Sequence, residues 1–176
     1  MTEKEKRREL IEWILVFVVA ILAAVVLNGF ILVNARIPSA SMENTIMTGD
    51  RIFGSRLAYK KEDPARGDII IFRFPDDEKQ LFIKRIIGLP GETVIIKDGK
   101  VYINDSEEPL DESSYINEEP YGDFGPFEVP NDAYFVMGDN RNKSYDARYW
   151  TNTYVYRDKI LGKAFIRYFP NPSSIK

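Results

Sequence analysis

A long apolar segment near the N-terminus is the feature that most limits how this chain can fold. Residues 13–33 carry one polar side chain, Asn28, in 21 positions. As an α-helix the segment would be about 31 Å long, close to the roughly 30 Å hydrocarbon core of a bilayer. A cleaved secretory signal is the alternative, with a small residue available in Val33-Asn34-Ala35. Because the apolar part of such a signal usually spans only about 7–15 residues, we expect 13–33 to be a retained transmembrane anchor.

The charges on either side of this segment predict its orientation. Four Lys and Arg residues lie within positions 1–12, whereas only Arg36 follows closely on the other side. Basic residues favour the cytoplasmic side of a membrane, and acidic residues count for little. We therefore expect a single-pass protein of the cell membrane, with 1–12 in the cytoplasm and 34–176 as an extracytoplasmic domain.

The composition excludes several kinds of active site. The chain has no cysteine and no histidine, so thiol nucleophiles, Ser-His-Asp triads and thiolate or imidazole metal sites are ruled out. The net charge of −3 belongs entirely to the region after residue 33. Since phosphate binding needs a basic surface, we expect no nucleic-acid partner.

The region after residue 33 is typical of a mainly β domain. Runs rich in Ile, Val, Phe and Tyr predict strands at 51–57, 68–74, 81–87, 93–97, 101–104, 133–137 and 164–169. Lys97-Asp98-Gly99-Lys100 predicts a two-residue hairpin turn, and 154–160 suggests a short helix or turn. We expect an antiparallel sheet or barrel-like domain after the helix.

An acidic stretch at 105–130 interrupts this pattern. Seven acids and no bases lie between Asp105 and Glu119, together with Pro109. We interpret 105–130 as an exposed, solvated excursion from the sheet.

Two segments carry side chains suited to catalysis, although each also has a structural interpretation. Lys84 lies in an apolar strand, where burial would lower its pKa enough for it to accept a proton; alternatively its ammonium reaches water. Ser39 and Ser41 lie in a short segment directly after the anchor, where a serine could instead cap a helical turn.

A third polar segment, 138–148, could be an ordinary turn with surface ion pairs. Taken together, however, four segments resemble the successive motifs of bacterial type I signal peptidases, in their order and spacing. These segments are Pro38-Ser39-Ala40-Ser41-Met42, Arg66-Gly67-Asp68-Ile69, Lys84-Arg85-Ile86-Ile87-Gly88-Leu89-Pro90-Gly91-Glu92, and Gly138-Asp139-Asn140-Arg141 with Ser144, Asp146 and Arg148. The chain is similar to the short, single-anchor form of Gram-positive bacteria.

The resemblance implies a role for each matching residue. Ser41 would be the nucleophile and Lys84 the general base. Supporting roles are implied for Ser39 (oxyanion hole, with the Ser41 N–H), Ser144 (orienting the lysine), and Asp146 with Arg148 (a pair supporting the site). The implied activity is that of a membrane-bound serine endopeptidase that removes signal peptides by way of an acyl-enzyme, without a metal or cofactor. Its implied partners are exported preproteins with an Ala-X-Ala site, and membrane lipid.

The match has departures, and two other functions compete with it. Asn44 replaces a common proline, and Ala147 and Thr151 stand where serine and glycine are usual. One rival is a self-cleaving Ser/Lys protease of the repressor type. The other is a non-enzymatic β scaffold, which predicts an exposed Lys84 far from Ser41.

Overall fold

The chain begins with one long helix. The fold, a computed structural model, describes residues 2–175. Helix α1 (Glu3–Val26) starts at a capping box in which the Thr2 hydroxyl accepts from Glu5 N and the Glu5 carboxylate accepts from Thr2 N. It continues as a π-helical turn at Leu27–Ile31. None of its side chains is buried, and within residues 2–175 it is the one helix long and apolar enough to cross a membrane.

The polar side chain inside the apolar segment is satisfied within the helix. Asn28 Nδ2 donates a 2.9 Å hydrogen bond to the Ala24 carbonyl, one turn earlier. An amide without a partner in hydrocarbon would cost several kcal/mol, so this bond makes Asn28 compatible with a membrane span.

Short strands make up most of the remaining described chain. They are β1 (Leu32–Arg36), β2 (Arg51–Ser55), β3 (Ile69–Phe74), β4 (Asp77–Gly88), β5 (Thr93–Lys97), β6 (Lys100–Ile103), β7 (Phe124–Glu128), β8 (Ala133–Met137), β9 (Val155–Tyr156), β10 (Ile160–Phe169) and β11 (Ser173–Ser174). Two single 3₁₀ turns lie at Arg141–Lys143 and Arg157–Lys159.

The strands form two antiparallel sheets. The larger has the order β1-β2-β10-β3-β4-β8-β9, with β11 paired to β10, and the smaller has the order β6-β5-β7. The prediction of a mainly β, antiparallel domain behind an N-terminal helix is confirmed. Hydrogen bonding leaves β1 and β9 at the edges of the larger sheet, so these described strands form an open sheet instead of a closed barrel.

Several local predictions are confirmed by the backbone. Lys97 pairs with Lys100, and Asp98 and Gly99 both have positive φ, as the predicted two-residue turn requires. The 154–160 region contains the short strand β9 and a 3₁₀ turn. Each predicted strand is present, although β4 extends back to Asp77 through polar residues that are mostly exposed.

Four strands were not predicted. The two-residue strand β9 lies in the region expected to be a short helix or turn, and the two-residue strand β11 follows the last predicted strand. The other two, β1 and β7, overlap segments that were assigned to the anchor and to the acidic excursion. Leu32 and Val33 were placed in the anchor, but they pair with Ser55 and Gly54, and Val33 is buried in the core. Strand β7 lies inside the acidic 105–130 stretch and pairs with β5. Its Pro126 is accommodated because β7 is an edge strand of its sheet.

Two hydrophobic cores meet at β4. The larger includes Phe72, Ile86, Phe135 and Val136, and the smaller includes Met42, Ile46, Ile52 and Ile71. Because alternate residues of a strand face opposite sides, β4 sends Phe82 and Ile86 into the larger core and Ile83 against the smaller one. By the same alternation, Lys84 lies on the face of β4 that carries Phe82 and Ile86.

Candidate active site

A tight turn presents Ser41 directly after the first strand. Glu43 N donates to the Ala40 carbonyl, and the Ile46 amide donates to Met42 O at 2.8 Å. Met42 and Ile46 are completely buried in the smaller core and hold this turn against the sheet. Ser41 itself is 6% exposed, at the floor of an open cavity.

The Lys84 amine contacts the Ser41 hydroxyl. The Lys84 Nζ to Ser41 Oγ distance is 2.5 Å, across 43 positions of sequence. Lys84 is 3% exposed, and its Nζ lies 5.6 Å from the centroid of the Phe82 ring. This geometry agrees with the catalytic interpretation of the two residues and contradicts the scaffold alternative, which required an exposed and distant lysine.

Burial lowers the pKa of Lys84. Loss of solvation brings it down from 10.5 to about 8, while the carboxylates of Asp146 and Asp139 oppose the change and the Arg148 guanidinium supports it. Lys84 forms no ion pair among residues 2–175. A buried amine with this pKa is partly neutral near physiological pH and can accept a proton.

The Asp139-Asn140 pair attaches the serine turn to the sheet. Asp139 accepts two hydrogen bonds from the Arg85 guanidinium, at 2.8 and 2.7 Å, and one of 2.5 Å from the Thr45 hydroxyl. Asn140 donates from its backbone to the Ser41 carbonyl and from its side chain to Ala40 O. Strand β4 therefore supplies Lys84 directly. Through the bonds from Arg85 to Asp139, it also holds the serine turn in place opposite this lysine.

The second buried pair, Asp146 with Arg148, braces the loop after β8. Arg148 donates to both carboxylate oxygens of Asp146, at 2.8 and 2.9 Å, and to the Arg141 carbonyl at 2.6 Å. Asp146 also accepts from Gly138 N at 3.0 Å. These bonds fold the 138–148 segment onto itself and bring Ser144 next to the serine turn.

Ser39 and Ser144 both lie beside Ser41. The Ser39 and Ser41 hydroxyl oxygens are 3.4 Å apart. Ser144 Oγ is buried without a hydrogen-bond partner among the described residues, so the predicted bond to the lysine amine is not formed in this arrangement. A Cβ built on Gly138 would collide with both Ser144 Oγ and the Ser41 carbonyl oxygen, which shows how closely the three segments approach one another.

The acidic stretch contributes two residues that the sequence analysis missed. Glu112 forms a double ion pair with the guanidinium of Arg141, which is 1% exposed. Tyr115 places its ring 4.1 Å from the Arg85 guanidinium carbon. The expectation of a purely solvated excursion is therefore wrong for this part of the stretch, which covers the back of the site. The only signal in the sequence was a surplus of cations, because the 138–148 segment carries Arg141, Lys143 and Arg148 but only two acids, Asp139 and Asp146.

An open cavity of about 510 Å³ lies in front of Ser41 and Lys84. One wall is the chain from Asn34 to Ser41, and the other is formed by Gln80–Lys84 of β4, with Lys143 and Tyr145 completing the rim. Both walls include strand segments, so the cavity suits an extended peptide better than a compact ligand.

The comparisons with known proteins agree with this arrangement. The profile of the family described as "Signal peptidase, peptidase S26" matches residues 10–169. The chain belongs to this family. It is thus a serine endopeptidase of the signal peptidase I type, as the four motifs predicted, with one N-terminal apolar helix like the membrane anchor of this group.

Relatives match over most of their length. A probable signal peptidase I-2 of Synechocystis sp. is 44% identical over 160 residues, covering 88% of this chain and 71% of the relative. Signal peptidase I of Bacillus licheniformis is 34% identical, covering 97% of this chain and 96% of the relative. A crystal structure of a signal peptidase I from Enterococcus faecalis is 36% identical and covers 58% of this chain and 97% of that one, with a TM-score of 0.48.

The structure explains the Asn44 departure from the family pattern. Asn44 has a φ of 81°, in the left-handed region. Proline is locked near −65° and cannot adopt this conformation, whereas asparagine tolerates it. The serine turn of this signal peptidase family member could therefore not accommodate a proline at position 44.

Proposed function

We propose that this protein removes N-terminal signal peptides from exported preproteins, with Ser41 as nucleophile and Lys84 as general base. One observation carries the proposal: a lysine amine that is 3% exposed lies 2.5 Å from a serine hydroxyl. Family membership supplies the class of reaction, and the contact supports these two side chains as the pair that performs it without histidine.

Acylation begins with proton transfer. Neutral Lys84 takes the proton from Ser41 Oγ as that oxygen attacks the scissile carbonyl carbon and forms a tetrahedral oxyanion. When the C–N bond breaks, the protonated Lys84 gives the same proton to the departing amine. The mature protein leaves with a new N-terminus, and the signal peptide stays attached as an ester of Ser41.

The oxyanion needs hydrogen-bond donors beside Ser41. The Ser41 amide N–H donates to no other described residue, and Ser39 Oγ lies 3.4 Å from the nucleophile. We assign these two groups to the oxyanion hole. Since such donors act mainly on the transition state, Ser39 should contribute to turnover much more than to substrate binding.

Deacylation repeats the sequence with water. Lys84 takes a proton from water as the hydroxyl oxygen attacks the ester, and returns it to Ser41 Oγ when the ester bond breaks. Ser144 would hold the amine between the two half-reactions once its hydroxyl rotates toward Lys84. Asp146 and Arg148 keep the Ser144 segment in place through their paired hydrogen bonds.

The position of the site next to the helix supports this substrate class. Ser41 follows the end of the π-helical turn at Ile31 by ten residues, so it can lie at most about 35 Å from the outer bilayer surface. A secretory signal presents its cleavage site there, just beyond its apolar segment. We therefore propose that the helical part of the apolar segment, 13–31, lies in the lipid, that 1–12 lie in the cytoplasm, and that the β domain from Leu32 onward lies outside and acts on Ala-X-Ala sites.

The structure also bears on the alternative of a cleaved signal. Val33-Asn34-Ala35, the candidate cleavage position, is part of β1, where Ala35 pairs with Ile52. Cleavage after Ala35 would remove four of the five residues of this edge strand, which also forms part of one wall of the cavity. A retained anchor keeps this strand intact.

The proposal is tested by incubating the detergent-solubilised full-length protein with a preprotein that carries an Ala-X-Ala site. The wild type should release the mature protein, and Ser41→Ala and Lys84→Met should reduce the rate to the uncatalysed level. Lys100→Met on the distant hairpin, which makes the same side-chain change, should retain wild-type activity.

Two outcomes would contradict the proposal. Full activity in either site variant would exclude the role given to that residue. Cleavage confined to the chain itself, with no release from the preprotein, would favour the repressor-type rival.

A further inference from the structure

Two exposed side chains stand on either side of the buried Ser144. Ser144 has an extended backbone, with φ −105° and ψ 124°, and its neighbours Lys143 and Tyr145 are both exposed. Because alternate side chains of an extended segment point to opposite sides, both neighbours point away from the buried hydroxyl. Both also line the cavity in front of the catalytic pair.

The structure holds this rim in place from behind. Lys143 ends the 3₁₀ turn that begins at Arg141, whose guanidinium is paired with Glu112. The Tyr145 ring packs edge-on against Phe74 and Trp150, with centroid separations of 6.3 and 6.5 Å. Half of the tyrosine side chain nevertheless remains exposed, so it presents a positioned aromatic surface to the cavity.

The charge of Lys143 is not neutralised by the protein. The buried arginines near it are each paired with a carboxylate, whereas Lys143 forms no ion pair with any residue between 2 and 175. An unpaired ammonium on a flexible stem of four carbons, at the rim of a substrate cavity, is suited to attract an anionic group.

The anchor determines the direction in which a substrate crosses the cavity. The wall that starts at Asn34 begins three residues after the helical segment ends at Ile31. A preprotein's own apolar segment is held in the same bilayer, so the residues before its cleavage site must enter from this end. Ser144, which stands between Lys143 and Tyr145, lies close to Ser41 at the other end of this wall. The residues after the cleavage site therefore leave past these two side chains.

We infer that Lys143 and Tyr145 form a binding site for the first residues of the mature protein, and that Lys143 favours an acidic side chain at the first or second mature position. This inference rests on the proposed function. Tyr145 supplies an apolar contact for the backbone of the emerging segment, and Lys143 supplies the charge selectivity. Such an interaction at an exposed site is worth about two- to fivefold in kcat/KM.

The test uses two preproteins that are identical except for Asp or Lys at the second mature position, mixed in one reaction with the full-length enzyme. The wild type should cleave the Asp form about two- to fivefold faster at low salt, and the ratio should shrink as salt is added. Lys143→Met should bring the ratio close to one, and Lys143→Glu should invert it. Lys100→Glu, the same charge reversal on the distant hairpin, should leave the ratio at the wild-type value.

Each outcome decides the matter. A wild-type ratio of one, or an unchanged ratio in Lys143→Glu, overturns the inference while leaving the proposed function intact, because both preproteins are still cleaved. A ratio that shifts equally in Lys100→Glu shows a general effect of net charge and also overturns it. Failure of the wild type to cleave either preprotein would refute the proposed function itself, and the inference with it.

Discussion

The pH dependence of cleavage gives the most direct test of how Lys84 works. Only the neutral amine can take the Ser41 proton, so activity should rise with pH as Lys84 loses its own proton. With the pKa lowered from 10.5 to about 8, about a tenth of the enzyme carries neutral Lys84 at pH 7 and about nine tenths at pH 9. The expected rise in kcat/KM between these values is therefore about tenfold, with a plateau above pH 9.

The size of the pKa change shows how much burial contributes. With an unperturbed lysine, only about 0.03% of the enzyme would be active at pH 7, roughly 300-fold less than the structure implies. The change from 10.5 to about 8 corresponds to a net preference of about 3 kcal/mol for the neutral amine, to which burial contributes most. Because a bound peptide would cover the cavity and exclude more water, the inflection in kcat should lie at lower pH than the inflection in kcat/KM.

The assay is the initial rate of preprotein cleavage from pH 6 to 10.5, in detergent and at constant ionic strength. A second measurement at pH 8, after brief exposure to each pH, separates titration from inactivation. Lys84→Arg keeps a permanent positive charge and should be inactive throughout. A profile that is flat from pH 6 to 10, or one whose inflection lies near 10.5, would refute a desolvated lysine base.

Three further substitutions probe the parts around the pair. Ser39→Ala should lower kcat by about 10²–10³ with little change in KM, and steady-state kinetics showing a change in KM alone would remove Ser39 from the oxyanion hole. Gly138→Ala should lower kcat/KM by about 10²-fold, because its Cβ would displace the Ser41 carbonyl; unaltered kinetics would show that the loop can yield. Asp139→Asn should cost about 3–5 kcal/mol in urea unfolding, since it leaves buried Arg85 without its carboxylate, and a loss below about 1 kcal/mol would mean that this pair is compensated elsewhere.

Local sequence patterns predicted most of the sheet because those patterns are themselves the cause of the local structure. The Asp98-Gly99 turn follows from the positive φ values that these residues tolerate. The continuous apolar runs of β3 and β8 form strands that are buried on both faces. The patterns failed where one composition suits two structures. Leu32 and Val33 continue an apolar helix in sequence, yet in the fold they begin the edge strand β1.

Predicting the site required information that the local patterns lack. The apolar pattern along 81–87 suggested that Lys84 could be buried, but it did not indicate that Lys84 and Arg85 are both buried, each only 3% exposed. The two cations tolerate burial for different reasons. Arg85 is neutralised by Asp139, whereas the pKa of Lys84 is lowered, so that this lysine loses its proton more readily. Glu112 was missed for a related reason, because an acid in an acidic stretch gives no local sign that it reaches a buried arginine 29 positions away.

The arginines around the site have an electrostatic consequence as well as a structural one. A buried carboxylate free to pair with Lys84 would hold the ammonium charged and raise its pKa, and two such carboxylates, Asp139 and Asp146, lie close enough to oppose the lowering. Each is bound through both of its oxygens by an arginine, so neither carboxylate is available to form a direct ion pair with Lys84. Arg148 itself helps to lower the lysine pKa. Burial can therefore determine the protonation of Lys84 because Arg85 and Arg148 keep the neighbouring acids from pairing with it.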